Sequence, residues 1–155
     1  IFIFVSSCSM GDASQQKIIE KLELEGKPYF DQLVSTNEYN SLLNEIESGD
    51  DVLINGAPIL SLWSDASTSL SLKFSLSRAI IQNPDSVMSL IPKYFSVSDL
   101  CTIPYIEESI EVEFKHINES LSALENSSNF SESHAKCVSV YKKIKNDITK
   151  SSSGR

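Results

Sequence analysis

The chain predicts an all-α fold, a single-domain bundle of about six to seven helices ending in an antiparallel helix hairpin. Three observations carry this. Apolar residues recur at helical spacing along most of the chain. The clearest run is Ile106, Ile110, Phe114, Ile117, Leu121 and Leu124, at intervals of 4, 4, 3, 4 and 3. Five Gly and five Pro in 155 residues are too few for a turn-dense β protein. At this length, with 41% hydrophobic and 22% charged residues, the composition is that of one ordinary globular domain.

The elements follow in order. Residues 17–150 form the helical domain, and 9–16 read as a tether or the frayed start of the first helix. Ile18, Ile19 and Leu22 set the first apolar face, and Gly26 stops it. Pro28 opens a short helix over Tyr29–Val34. Ser35 or Thr36 caps the next, whose face is Tyr39, Leu42, Leu43 and Ile46. Asp50–Pro58 reads as irregular, because Asn55-Gly56 is a turn signal. One or two helical turns over Pro58–Trp63 then bring the single Trp to the core.

Residues 69–77 are ambiguous. Leu70, Leu72, Phe74 and Leu76 alternate like a strand, while Leu72, Leu76, Ala79 and Ile80 fit a helix. No turn residue intervenes before Asn83-Pro84, so length favours helix, capped by Asp65 or Ser67. Pro84 suits a first helical position, with Asp85 at the positive end of the dipole. Ser96 caps a short helix over Val97–Cys101. The long stripe from Ile106 follows. Ser131 or Ser133 starts the last helix, with face Cys137, Tyr141, Ile144 and Ile148, and 151–155 read as a disordered tail.

Charge and motifs exclude several functions. The formal net charge is −8, and basic residues are scattered apart from Lys142-Lys143-Ile144-Lys145. A nucleic-acid partner needs a basic face, so none is expected. No phosphate loop, G-x-S-x-G or H-E-x-x-H is present, so no catalytic residue and no cofactor is assigned. His116 lies off the apolar stripe and His134 opens the last helix, with Glu113 and Glu132 near in sequence. The two rings could meet across the hairpin as an acid–base or metal pair; the reading adopted is two solvated surface histidines. Two separated Cys and two isolated His do not make a metal set. Glu107, Glu108, Glu111 and Glu113 need no role beyond facing a helix dipole. Asn118, Asn126 and Asn129 head glycosylation sequons, which matter only in a eukaryotic secreted protein.

Residues 1–8, Ile-Phe-Ile-Phe-Val-Ser-Ser-Cys, end an apolar run in an aliphatic residue, two small residues and a cysteine. This resembles the end of a bacterial lipoprotein signal peptide. The resemblance implies lipidation at Cys8, a lipid anchor and the periplasmic side of the envelope. Ser9, rather than Asp, implies outer-membrane sorting. The competing reading is a buried strand over Ile1–Val5 with Cys8 a core thiol. Lipidation of Cys8 would leave Cys101 and Cys137 as an even pair, expected to bridge in an oxidising compartment. Two reduced core thiols are the alternative.

A second resemblance covers Leu76–Tyr141. Asn83-Pro-Asp-Ser-Val-Met88, Phe95-Ser-Val-Ser-Asp-Leu-Cys101 and Ile103-Pro-Tyr-Ile-Glu107, with a last helix carrying Cys137, resemble a group of small exported bacterial proteins, many of them lipoproteins. That likeness implies an all-helical fold and a Cys101–Cys137 disulfide, and no particular activity. In size, helicity and one disulfide the chain is also similar to periplasmic immunity proteins that neutralise cell-wall-degrading toxins. The expected function is therefore a non-enzymatic envelope lipoprotein that binds another protein, including as an immunity-type inhibitor. The alternative is a structural or adaptor lipoprotein with no inhibitory role.

Overall fold

A computed structural model describes residues 10–153, and the expectations for 1–8, Cys8 among them, lie outside the described residues. Nine helices and no strand occur among those described: α1 Met10–Glu25, α2 Lys27–Ser35, α3 Glu38–Glu47, α4 Asp51–Trp63, α5 Ala66–Ala79, α6 Pro84–Ser89, α7 Val97–Leu100, α8 Ile110–Glu125 and α9 Glu132–Ser153. They form one all-α domain around a continuous core. Each of the nine corresponds to a helical stretch read along the chain, and the short α2, α6 and α7 take the count above six to seven.

The largest departure is α4. Asp50 caps it, its side chain accepting from the Leu53 amide at 2.9 Å. The turn residue Asn55 instead bonds back to the Asp51 carbonyl at 2.8 Å. Leu53, Ile54, Ala57 and Leu60 are all fully buried. Burying a large apolar side chain is worth about 1.5–3 kcal/mol. That outweighs the roughly 1 kcal/mol helix penalty of Gly56, and Pro58 is carried inside the helix. Gly56 also has a packing reason. A Cβ there would lie 2.3 Å from Ile19 Cδ1, so the glycine lets α1 lie directly on α4. Trp63 meets Gly26 in the same way, 3.0 Å from where a Cβ would stand. The pairs 19/56 and 26/63 run in the same sense, so α1 and α4 are parallel. Met10–Gln16 belong to α1, the first-helix alternative for that segment.

α5 is the helix expected. Asp65 and Thr68 form a reciprocal capping box, the Thr68 amide donating to Asp65 at 2.8 Å and the Asp65 amide to Thr68 at 2.9 Å. Leu72, Leu76 and Ala79 are buried, whereas Leu70 is half-exposed, so the helical period wins over the alternating one. α3 starts differently from expectation. Ser35 and Thr36 donate to the Gln32 carbonyl and finish α2, and Asn37, at φ +64°, makes the corner. Ser96 and Asp99 form the capping box that starts α7.

The long stripe begins four residues late. Ser109 caps α8, Ile106 stands 69% exposed before it, and Glu107 turns at φ +57°. α9 returns along α8, with Lys145 on Asn118 and Tyr141 on His116. It runs to Ser153, so residues 151–153 are helical rather than a tail. The Cys101–Cys137 disulfide joins the end of α7 to α9, with Cα atoms 5.4 Å apart and both residues buried.

Candidate functional site

Three polar groups stand out from this apolar framework, two of them inside it. The histidines are not surface residues: His116 and His134 are each 2% exposed. Nor do they meet. Antiparallel packing sets His116, early in α8, against the middle of α9, and His134 lies near the start of α9.

His116 Nε2 is 3.2 Å from Tyr141 Oη and 3.4 Å from Ser120 Oγ. Tyr141 donates its proton to the Thr102 carbonyl at 3.2 Å, which also accepts from Ser77 at 3.1 Å. With its one proton spent, Tyr141 accepts from the ring, so Nε2 carries the hydrogen. His116 Nδ1 is then a buried lone pair without a partner among the described residues. Tyr105 stands edge-on at 5.6 Å. Burial lowers the His116 pKa from 6.5 to about 4; the Thr102 carbonyl opposes this and the Arg78 charge adds to it. Burial likewise pushes Tyr141 up to about 12. Both groups are neutral at pH 7. The cluster therefore joins α5, α8, α9 and the segment after α7 without buried charge.

His134 does a different job. Its Nδ1 accepts from the Ser131 amide at 3.1 Å and lies 2.8 Å from Ser131 Oγ. Its Nε2 is 3.1 Å from Asp85 Oδ1. A hydroxyl, an imidazole and a carboxylate in a row invite comparison with a nucleophile–base set. Here Nδ1 is already taken by a backbone amide, and Phe130 lies 5.5 Å from the ring. No lone pair is left to activate the hydroxyl. His134 is the third residue of α9, and its side chain takes up the Ser131 amide as the Glu of a capping box does. Asp85 is held below the usual carboxylate range, first by the Ser127 hydroxyl and then by His134. The His134–Asp85 hydrogen bond ties the start of α6 to the start of α9.

The third group opens to solvent. A cleft of about 260 Å³ lies between α3 and α5, lined by Asn40, Leu43, Asn44, Glu47, Ser71, Phe74, Ser75 and Arg78. At one end Arg78 Nη1 donates to Glu47 Oε1 at 3.1 Å, and buried Ser75 donates to the same oxygen at 2.9 Å. The Arg78 guanidinium lies 5.3 Å from the Tyr105 ring centroid. Among the described residues it makes this one hydrogen bond, leaving four N–H donors open. The Asn44 side chain is exposed and has no protein partner among them. Leu43 floors the cleft, and half-exposed Leu70 stands beside Ser71 on the next helical position.

Sequence reading missed this site. Glu47 and Arg78 are 31 positions apart, and each looks like one charge on a solvated helix face. The His116 row was detectable: His116, Ser120 and Leu124 repeat at intervals of four beside Ile117 and Leu121, marking a buried face two rows wide. No group of three His, Cys, Asp or Glu is gathered for a metal among the described residues. No described helix is long and apolar enough to cross a membrane. No protein family, curated protein or solved structure matches the chain.

Proposed function

We propose that this protein is a non-enzymatic envelope lipoprotein that binds another protein, and that the α3–α5 cleft is where it binds. The cleft is the observation that carries the reading. Its lining groups face an open cleft, whereas the rings of His116 and His134 are each 2% exposed. An immunity-type inhibitor of a cell-wall-targeting toxin is the specific form favoured by size, helicity and one disulfide. That likeness is one of architecture. The Cys101–Cys137 bridge supports an oxidising compartment, where such bonds persist. The N-terminal pattern ending in Cys8 supports a lipid anchor on the periplasmic side of the outer membrane. A structural or adaptor lipoprotein is the second reading, favoured by the absence of any inhibitory motif in the sequence.

The test is photo-crosslinking in the native cell. A photoreactive residue at Leu70, exposed and next in sequence to the cleft-lining Ser71, should trap one defined protein. The same residue at Lys150, near the end of α9, should not. Identical patterns from both positions would refute binding at the cleft. Palmitate-analogue labelling of the full chain tests the anchor: it should mark wild type and not Cys8→Ser.

A further inference from the structure

The geometry points to an uncharged, extended peptide segment as the occupant of the α3–α5 cleft, its backbone amides read by Asn44 and Arg78 and an apolar side chain seated on Leu43 and Phe74. This rests on the protein-binding reading above and names the chemistry that reading leaves open.

Four observations lead there. The first is size. At about 260 Å³ the cleft falls below the roughly 300–1,000 Å³ of typical small-molecule pockets. It suits one side chain and the peptide units beside it, not a cofactor.

The second is charge. Arg78 is already paired with Glu47 at 3.1 Å, so the end of the cleft has no surplus positive charge. The whole molecule carries −8, which further disfavours an anion. A carboxylate on the open Arg78 donors would stand beside the Glu47 carboxylate, which Ser75 holds in place at 2.9 Å, and the two like charges would repel. A cation would face the same neutralised pair.

The third is the supply of hydrogen-bonding groups. Asn44 offers an acceptor and two donors on one exposed planar amide. That set matches a peptide unit, which presents one N–H and one C=O. Arg78 adds open donors for a second carbonyl. Its guanidinium is kept in place on one side by Glu47 and faces the Tyr105 ring at 5.3 Å. Asn40 is tied to Asn37, and Ser71 donates to the Ser67 carbonyl at 3.1 Å, so both are partly committed.

The fourth is the apolar strip. Phe74 on α5 and Leu43 on α3 face the cleft from its two sides and supply its apolar lining. An aliphatic or aromatic side chain set between backbone contacts at Asn44 and Arg78 would cover it. Side-chain burial then supplies affinity, and the amide contacts fix direction and register.

The experiment uses the full chain, isotope-labelled, with capped tripeptides as probes. Ac-Ala-Leu-Ala-NH2 and Ac-Ala-Phe-Ala-NH2 are titrated while backbone amide shifts are followed. The expected result is saturable shifts confined to the amides of α3 and α5 around the cleft. The capped peptides should bind at least as well as Ac-Ala-Leu-Ala with a free carboxylate, and chitotriose should cause no shift. Asn44→Leu should weaken peptide binding by about tenfold, the worth of a hydrogen-bond set of about 1.4 kcal/mol. Asn44 is exposed, so this variant should fold; Lys150→Ala, on a remote helix, should bind like wild type. Four results would overturn the inference: no saturable shift, shifts centred elsewhere, tighter binding of the free carboxylate, or a response to chitotriose instead. If Leu70 crosslinking traps a protein while the peptides fail, the peptide chemistry falls and the binding role stands. Failure of both removes both.

Discussion

His116 makes a quantitative demand on stability. In the folded state its ring is 2% exposed, and its pKa lies at about 4 against 6.5 for the free side chain. The folded pKa is the lower one, so acid favours the unfolded state, which takes up the proton more readily. Stability is unaffected by this ring above pH 6.5. It falls as pH drops below 6.5 and levels off below about 4. Each tenfold change in proton affinity is worth 1.36 kcal/mol, so the whole loss is about 3 kcal/mol. The geometry explains why the ring resists charging. Protonation places a hydrogen on Nδ1, where no acceptor waits, and puts a cation in a site already facing Arg78.

The perturbation is His116→Gln, which cannot charge. Its amide can still donate toward Tyr141. Urea unfolding is followed at pH 8, 6.5, 5 and 4 for both proteins. Carboxylates held below their usual range, Asp65, Asp85, Asp99, Glu111 and Glu132, also lose their contribution in acid. They do so in both proteins and cancel in the difference. Wild type should therefore lose about 3 kcal/mol more than His116→Gln between pH 8 and 4. Parallel curves would refute the buried neutral ring. A steeper fall in the variant would refute the sign.

Two further outcomes follow from packing. Cys101→Ala/Cys137→Ala opens a loop of 36 residues, for which the chain-entropy model gives about 4 kcal/mol. Calorimetry should show the midpoint falling by roughly 8–15 °C, and reductant should lower wild type but leave the variant unchanged. Gly56→Ala in a helix interior would ordinarily stabilise by up to about 1 kcal/mol. Here the new Cβ meets Ile19 Cδ1 at 2.3 Å, so the variant should instead lose on the order of 1–3 kcal/mol in denaturant midpoints. Ile19→Ala should recover part of that loss, and equal stability of Gly56→Ala and wild type would count against the close α1–α4 contact.

Much of the fold was legible because most helices announce where they start. Asp65, Asn83, Ser96, Ser109 and Ser131 stand where helices start, and the apolar rows after them repeat at three and four. The reading failed where tertiary contact overrode local preference. Asn55-Gly56-Ala-Pro58 is turn chemistry in isolation, and only the row of four fully buried residues on α4 makes it helix. Ile106 matched the period of α8 by chance, with the corner at Glu107 breaking the register. The histidines were misplaced for a similar reason. One side of α8 is apolar by composition, while His116 and Ser120 widen the buried face through partners on α5 and α9 that local spacing does not reveal. The cleft was invisible because it exists only once α3 and α5 are side by side.

The bridge also decides what a protease can release. Cys101 and Cys137 close a covalent ring, and the exposed loop between α8 and α9, residues 126–131, lies inside it. A single cut in that loop opens the ring without freeing a fragment, because α9 stays attached through Cys137. The nicked protein would migrate as one species until reduced and only then separate into two pieces. A cut outside the ring, such as at the Ser48–Asp50 corner, has no such covalent backup. The molecule therefore tolerates scission unevenly along its length, and the hairpin is the place where damage can be sustained without loss of mass.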